Sequence, residues 1–98
     1  MASYEYELNH DIEVEEPKKY QVFLLNDDFS TMDFVIDVLT QVFHKSLNEA
    51  ESIMLTVHNN GKAICGVYTK EIALTKVNQV KIMARKAGFP LKAIAQEE

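Results

Sequence analysis

From Lys19 to Leu25 the chain reads KYQVFLL, rich in β-formers, and stops abruptly at the polar cluster Asn26-Asp27-Asp28. A strand ending in a turn is expected there. Ser30 then precedes a helical pattern and is the expected cap, with Asp33 three positions on as its acidic partner. Val35, Val38, Leu39, Val42 and Phe43 recur at the spacing of one helix face, and His44-Lys45 closes the run. Ser46 with Glu49 repeats the cap signal, now with the preferred Glu. Leu47, Ala50, Ile53, Met54 and Val57 form the next stripe, which Asn59-Asn60-Gly61 ends.

Lys62 to Tyr68 (KAICGVY) reads as a second strand, weakened by Gly66. Thr69 is placed to cap a third helix whose face carries Ile72, Ala73, Val77, Val80, Ala84 and Ala87. Arg85 and Lys86 suit its last turn, and Gly88 suits the left-handed residue that follows. Phe89-Pro90 turns the chain into a short strand, Leu91 to Ala95. The order β-α-α-β-α-β implies one small α+β domain. Three helices should pack on one face of a three-stranded antiparallel sheet.

With 98 residues, a second independent core would leave each half too small. Residues 1–17 offer few large apolar groups and end at Pro17, so they are read as a flexible extension to a domain spanning 18–98. Tyr4, Tyr6 and Leu8 alternate, which leaves a short docked strand open. Charge sharpens this boundary. Residues 1–16 carry six acids and no Lys or Arg, whereas residues 17–98 carry ten bases against nine acids, leaving +1. The extension therefore holds the whole imbalance of the −5 chain.

A near-neutral body without a basic cluster argues against nucleic acid, whose phosphates demand Lys and Arg. No apolar run approaches the roughly 20 residues of a membrane span, and the N-terminus lacks the pattern of a signal peptide. One cysteine, Cys65, excludes an intramolecular disulfide and a multi-cysteine metal site. A monomer in a reducing cytoplasm, with no cofactor and no metal, is expected.

Candidate chemistry gathers at two places. Asn26-Asp27-Asp28 sits at a strand-to-helix junction; a plain turn with acids favoured by the helix dipole is the simpler account. As ligands for a hard cation, three oxygen donors without the spacing of a calcium loop are weak evidence. His58 ends the second helix, where a histidine ordinarily meets the last carbonyls. His10 and His44 have no spaced companions that would make a metal site. Cys65, between Ile64 and Gly66, reads as a buried inert thiol, and a Cys65–His58 hydrolase would lack an orienting third group. Met32 and Met54 sit near both polar landmarks, and core filling is the ordinary use of methionine at helical spacing.

The joint order of these landmarks resembles the ClpS adaptors of the bacterial Clp protease system. One block is Asn26-Asp27-Asp28-Phe29-Ser30-Thr31-Met32, continued by Phe34-Val35-Ile36-Asp37-Val38-Leu39. The other runs from Met54-Leu55-Thr56-Val57-His58 through Asn59-Asn60-Gly61-Lys62-Ala63 to Ile64-Cys65-Gly66, with Thr75-Lys76-Val77 following. The match extends from about Tyr20 to the end. Ser30 stands where that family often has Thr, and Thr31 where Pro is common.

The resemblance implies a non-enzymatic adaptor with no catalytic residues. It would bind proteins by a destabilising N-terminal Leu, Phe, Tyr or Trp and deliver them to an AAA+ unfoldase, ClpA-like, coupled to the ClpP peptidase. By resemblance, Asn26, Asp27 and His58 hold the substrate α-amino group. Ser30, Met32, Val35, Met54, Val57 and Leu91 form the side-chain pocket, with Asp28 near its entrance. Met32 would narrow that pocket and exclude β-branched residues. Thr69, Glu71 and Lys76 match positions that meet the unfoldase N-domain, and the N-terminal extension would serve delivery. The chemistry is consistent: an α-amino cation calls for acceptors and negative potential, which these side chains supply. A paralogue with narrowed N-terminal preference, or an interaction domain like that of the ribosomal stalk without an amino-group site, remain as alternatives.

Overall fold

The computed structural model describes residues 17–98. The expected acidic extension therefore lies, up to Glu16, outside the described residues. The elements are β1 (Lys19–Leu25), α1 (Met32–Gln41), α2 (Leu47–Asn60), β2 (Lys62–Thr69), α3 (Lys70–Ala87) and β3 (Lys92–Glu97). Their order is the expected β-α-α-β-α-β. The sheet order is β2-β1-β3, with β1 central and antiparallel to both neighbours.

Side-chain alternation along the strands divides the two faces of the sheet. Val22 and Leu24 are completely buried beneath the helices, joined by Ala63 and Cys65 of β2 and Ala93 of β3. Phe23 points to the other face between Ile64 and Ile94, and the Lys62 ammonium lies 4.9 Å from its ring centroid. The register skips Cys65, because Val22 pairs with Gly66 and Phe23 with Ile64. This bulge leaves the inward-facing Cys65 without a partner on β1 and does not interrupt the strand. Gly66 leaves room beside it for the Tyr68 side chain, which a Cβ there would push aside, coming within 2.6 Å of its ring.

Val38 and Leu39 of α1, Ala50 of α2 and Ala73 and Val80 of α3 are fully buried and complete the core. Small Ala73 and Ala84 let the long α3 lie close across the sheet, against all three strands. Phe34 of α1 meets Phe89 after α3, ring centroids 4.8 Å apart and tilted. Leu47 and Ile72, expected on apolar stripes, are exposed. Each lies in the first turn of its helix.

The capping signals divide. Ser46 and Glu49 form the full reciprocal capping box, and Gly61 and Gly88 close α2 and α3 in the left-handed conformation. The cap of α1 is Thr31 rather than Ser30: the Thr31 hydroxyl accepts from the Phe34 N–H at 3.1 Å. Thr69 begins α3 without a side-chain cap bond. The last strand runs further than Leu91–Ala95, because β1 offers partners as far as Tyr20, which pairs with Glu97. Among the described residues, no helix is long and apolar enough to cross a membrane.

Candidate functional site

Where β1 ends, its backbone is tied to the end of α2. The Asn26 N–H donates to the Gly61 carbonyl at 2.8 Å, and the Gly61 N–H donates to Val57 at 2.9 Å. Gly61 has φ of 88°, a conformation that costs a residue with a Cβ roughly 1–2 kcal/mol. This glycine, not singled out as a site residue in the sequence, brings the Asn26-Asp27-Asp28 cluster beside the last turn of α2, which carries His58. A glycine after Asn59-Asn60 at a helix end is the signal that marks it.

Asp27 then organises the turn into α1. Its Oδ1 accepts from the N–H groups of Phe29 at 2.8 Å and Ser30 at 2.6 Å. Burial pushes the Asp27 carboxyl up, but the Ser30 N–H, the nearby Ser30 hydroxyl and the Phe29 N–H together outweigh it and hold the carboxyl below its ordinary 3.8. Neither the Ser30 Oγ nor the second carboxylate oxygen, Oδ2, has a well-formed hydrogen-bond partner. Both atoms are shielded from solvent. Buried unpaired polar atoms cost about 1–3 kcal/mol each, so a matching group from outside would relieve that cost.

The residues that carry these atoms, Asp27 and Ser30, line a cavity of about 230 Å³ between the β1–α1 turn, α1 and α2. Asn26, Asp27, Asp28, Ser30 and His58 form its polar side; Met32 and Val35 of α1 and Met54 and Val57 of α2 form its apolar side. Val35, Met54 and Val57 are buried, whereas Met32 is 53% exposed and stands at the rim. Nine of the ten residues expected around the substrate thus line one cavity. Leu91 does not. It is buried in the core just before β3 and borders a separate cavity with Val77 and Lys81.

The three expected unfoldase-contact positions do not share one groove. Thr69 and Glu71 border a groove with Pro17, Lys18 and Tyr20. Lys76 lines another with His44, Gln79 and Met83, and its ammonium donates to the Val42 carbonyl at 2.7 Å. Cys65 is 1% exposed, and burial pushes its thiol up to about 12, so it is no nucleophile. A half-apolar, half-polar cavity without a nucleophile–base pair describes a binding module.

The chain matches the family model for the ATP-dependent Clp protease adaptor protein ClpS over residues 15–94. It is 50% identical over 96 residues to the ATP-dependent Clp protease adapter protein ClpS of Wolinella succinogenes, covering 98% of this chain and 94% of that protein. It is 54% identical over 83 residues to the ClpS of Campylobacter jejuni strain RM1221, covering 85% and 86%. A solved structure of Agrobacterium tumefaciens ClpS2 bound to L-phenylalaninamide shares 38% identity, with a TM-score of 0.82 over 85% of this chain and 100% of that chain. The chain belongs to the ClpS family of Clp protease adaptors, which are not enzymes. As an adaptor of that protease it binds a Clp unfoldase and substrates.

Proposed function

We propose that the cavity binds the first residue of proteins beginning with Leu, Phe, Tyr or Trp. The observation that carries this is the pair of solvent-shielded, unpaired acceptors, Asp27 Oδ2 and Ser30 Oγ, beside an apolar recess. An α-ammonium brings three donors and a positive charge, which matches an ionised carboxylate. Asn26, Asp27 and His58 hold that group, directly or through water. Ser30, Met32, Val35, Met54 and Val57 take the side chain, with Asp28 at the entrance. A charged side chain would be stripped of water there without a partner. L-phenylalaninamide, bound by the related ClpS2, combines a free α-amino group with an aromatic side chain, which agrees with this reading.

Delivery follows from the same reading. The domain docks on the N-domain of a ClpA-like unfoldase in the cytoplasm, through the region of Thr69, Glu71 and Lys76, for degradation by ClpP. Residues 1–17 act in hand-over rather than in peptide binding. A chain starting at Lys18 then keeps peptide affinity but delivers a Leu-initiated substrate poorly; equal degradation rates would remove the tail's role.

The test is titration with peptides identical except for a first residue of Leu, Phe, Tyr, Trp, Ile, Val, Met or Arg. Binding confined to the first four supports the reading, and binding of only one or two shows a narrowed preference. Indifference to the first residue contradicts it.

A further inference from the structure

Among the described residues, every side-chain hydrogen bond but one joins positions no more than four apart. The exception spans 34 positions: the Lys76 ammonium of α3 donates to the carbonyl of Val42, the residue that ends α1. That bond meets a need in α1, which has no basic residue in its last turn to answer its terminal carbonyls. Lys76 supplies the missing cation from a different helix. The bond is partly buried, and the Tyr68 ring lies 5.8 Å from the same ammonium.

The location gives this bond a reach beyond α1. Val42 begins the turn that joins α1 to α2, and these two helices are the apolar walls of the cavity. Two residues on, His44 has φ of 55°, a left-handed backbone that a side-chain-bearing residue adopts at a cost. A tight turn with a strained residue needs holding from outside. The Lys45 N–H donates to Leu39 at 3.1 Å on one side of that residue, and Lys76 grips Val42 on the other.

We propose that Lys76 is a positioning residue for the cavity: by pinning the α1–α2 turn it sets the separation between Met32 and Val35 on one wall and Met54, Val57 and His58 on the other. This rests on the proposed substrate reading of the cavity. It adds to Lys76 a task that docking on an unfoldase does not require. An exposed contact lysine would leave the cavity indifferent to its removal.

The experiment uses the full chain with Lys76→Ala and Lys76→Arg, and Lys76→Met should the alanine variant not fold. Peptide affinity is measured with Phe-initiated and Ile-initiated peptides, and the methyl resonances of Met32 and Met54 are followed by NMR. Removing the ammonium weakens the Phe-initiated peptide by about three- to tenfold, the scale of one hydrogen bond. It also narrows discrimination against Ile and shifts both methyl resonances. Arginine, which can reach the same carbonyl, restores most of each effect. Unchanged affinity and unmoved methyl resonances in a folded alanine variant overturn the proposal and leave Lys76 a surface contact. If the wild-type chain ignores the first residue while the methyl resonances still move, the positioning role stands and the substrate reading fails.

Discussion

The core and the cavity treat polar atoms in opposite ways. All 18 residues of the core are apolar, and no polar or charged residue is buried in the described domain. Three residues beyond Leu24, just past the end of the same strand, the rule is reversed. Among the described residues, the two shielded polar side-chain atoms left without partners, Asp27 Oδ2 and Ser30 Oγ, both belong to residues that line the cavity. With no other such side-chain atom unpaired among the described residues, these two are not placed there for stability. The core is complete as it stands, while the cavity holds unpaired atoms that the proposed α-amino ligand would satisfy.

The largest effect expected is on the core. Leu24 is completely buried, so Leu24→Ala should lower unfolding free energy by about 2–5 kcal/mol, read by urea denaturation. Peptide affinity, measured well below the unfolding transition, should change little. An equal loss of affinity would mean that core and cavity are one mechanical unit.

Asp27→Asn reverses the pattern. The amide oxygen still accepts from the Phe29 and Ser30 N–H groups, so the turn survives and stability should change by less than about 1 kcal/mol. Affinity for a Phe-initiated peptide should fall by about 1–3 kcal/mol, since an ionic hydrogen bond is lost. Asp27→Ala is a poorer probe, because it also strands two backbone donors. Retained affinity in the asparagine variant would show that the carboxylate's charge serves only the turn.

Met32 at the rim offers a subtler separation. Met32→Ala should admit Ile- and Val-initiated peptides while costing Leu and aromatic peptides at most about 1 kcal/mol, because it removes an obstruction more than a contact. Continued rejection of Ile would place the discriminating contact elsewhere.

The smallest effects are in pH dependence, and the two regions oppose each other. The Asp27 carboxyl is held low, so its contribution to stability is present above about 3.8 and fades as pH falls through its lowered value. The Cys65 thiol is raised from 9.0 to about 12, so its contribution is whole below pH 9.0 and is lost as pH climbs towards 12. Denaturation of wild type, Asp27→Asn and Cys65→Ala across both ranges checks this. Each variant should flatten only its own limb of the curve.

Much of this was legible because local signals suffice for it. The Ser46–Glu49 box, the Asn-Asn-Gly stop and the alternating strands each depend on neighbours in sequence. The co-location of Asn26, Asp27 and His58 came from family resemblance; spacing alone left the polar cluster as a turn. What escaped depends on tertiary choices. Ser30 and Thr31 are interchangeable as caps by residue type, and only the Asp27 turn decides that Thr31 faces the helix while Ser30 faces the cavity. The reach of Lys76 to Val42 leaves no trace in periodicity at all.

One comparison tests the central claim most directly: binding of a Phe-initiated peptide with a free α-amino group and of the same peptide acetylated. Acetylation removes the charge and two donors, leaving the Asp27 and Ser30 oxygens unmatched, so affinity should fall by at least about tenfold. Equal affinity for the two peptides would mean that the unpaired acceptors do not meet an amino group, and the account of the cavity would be wrong.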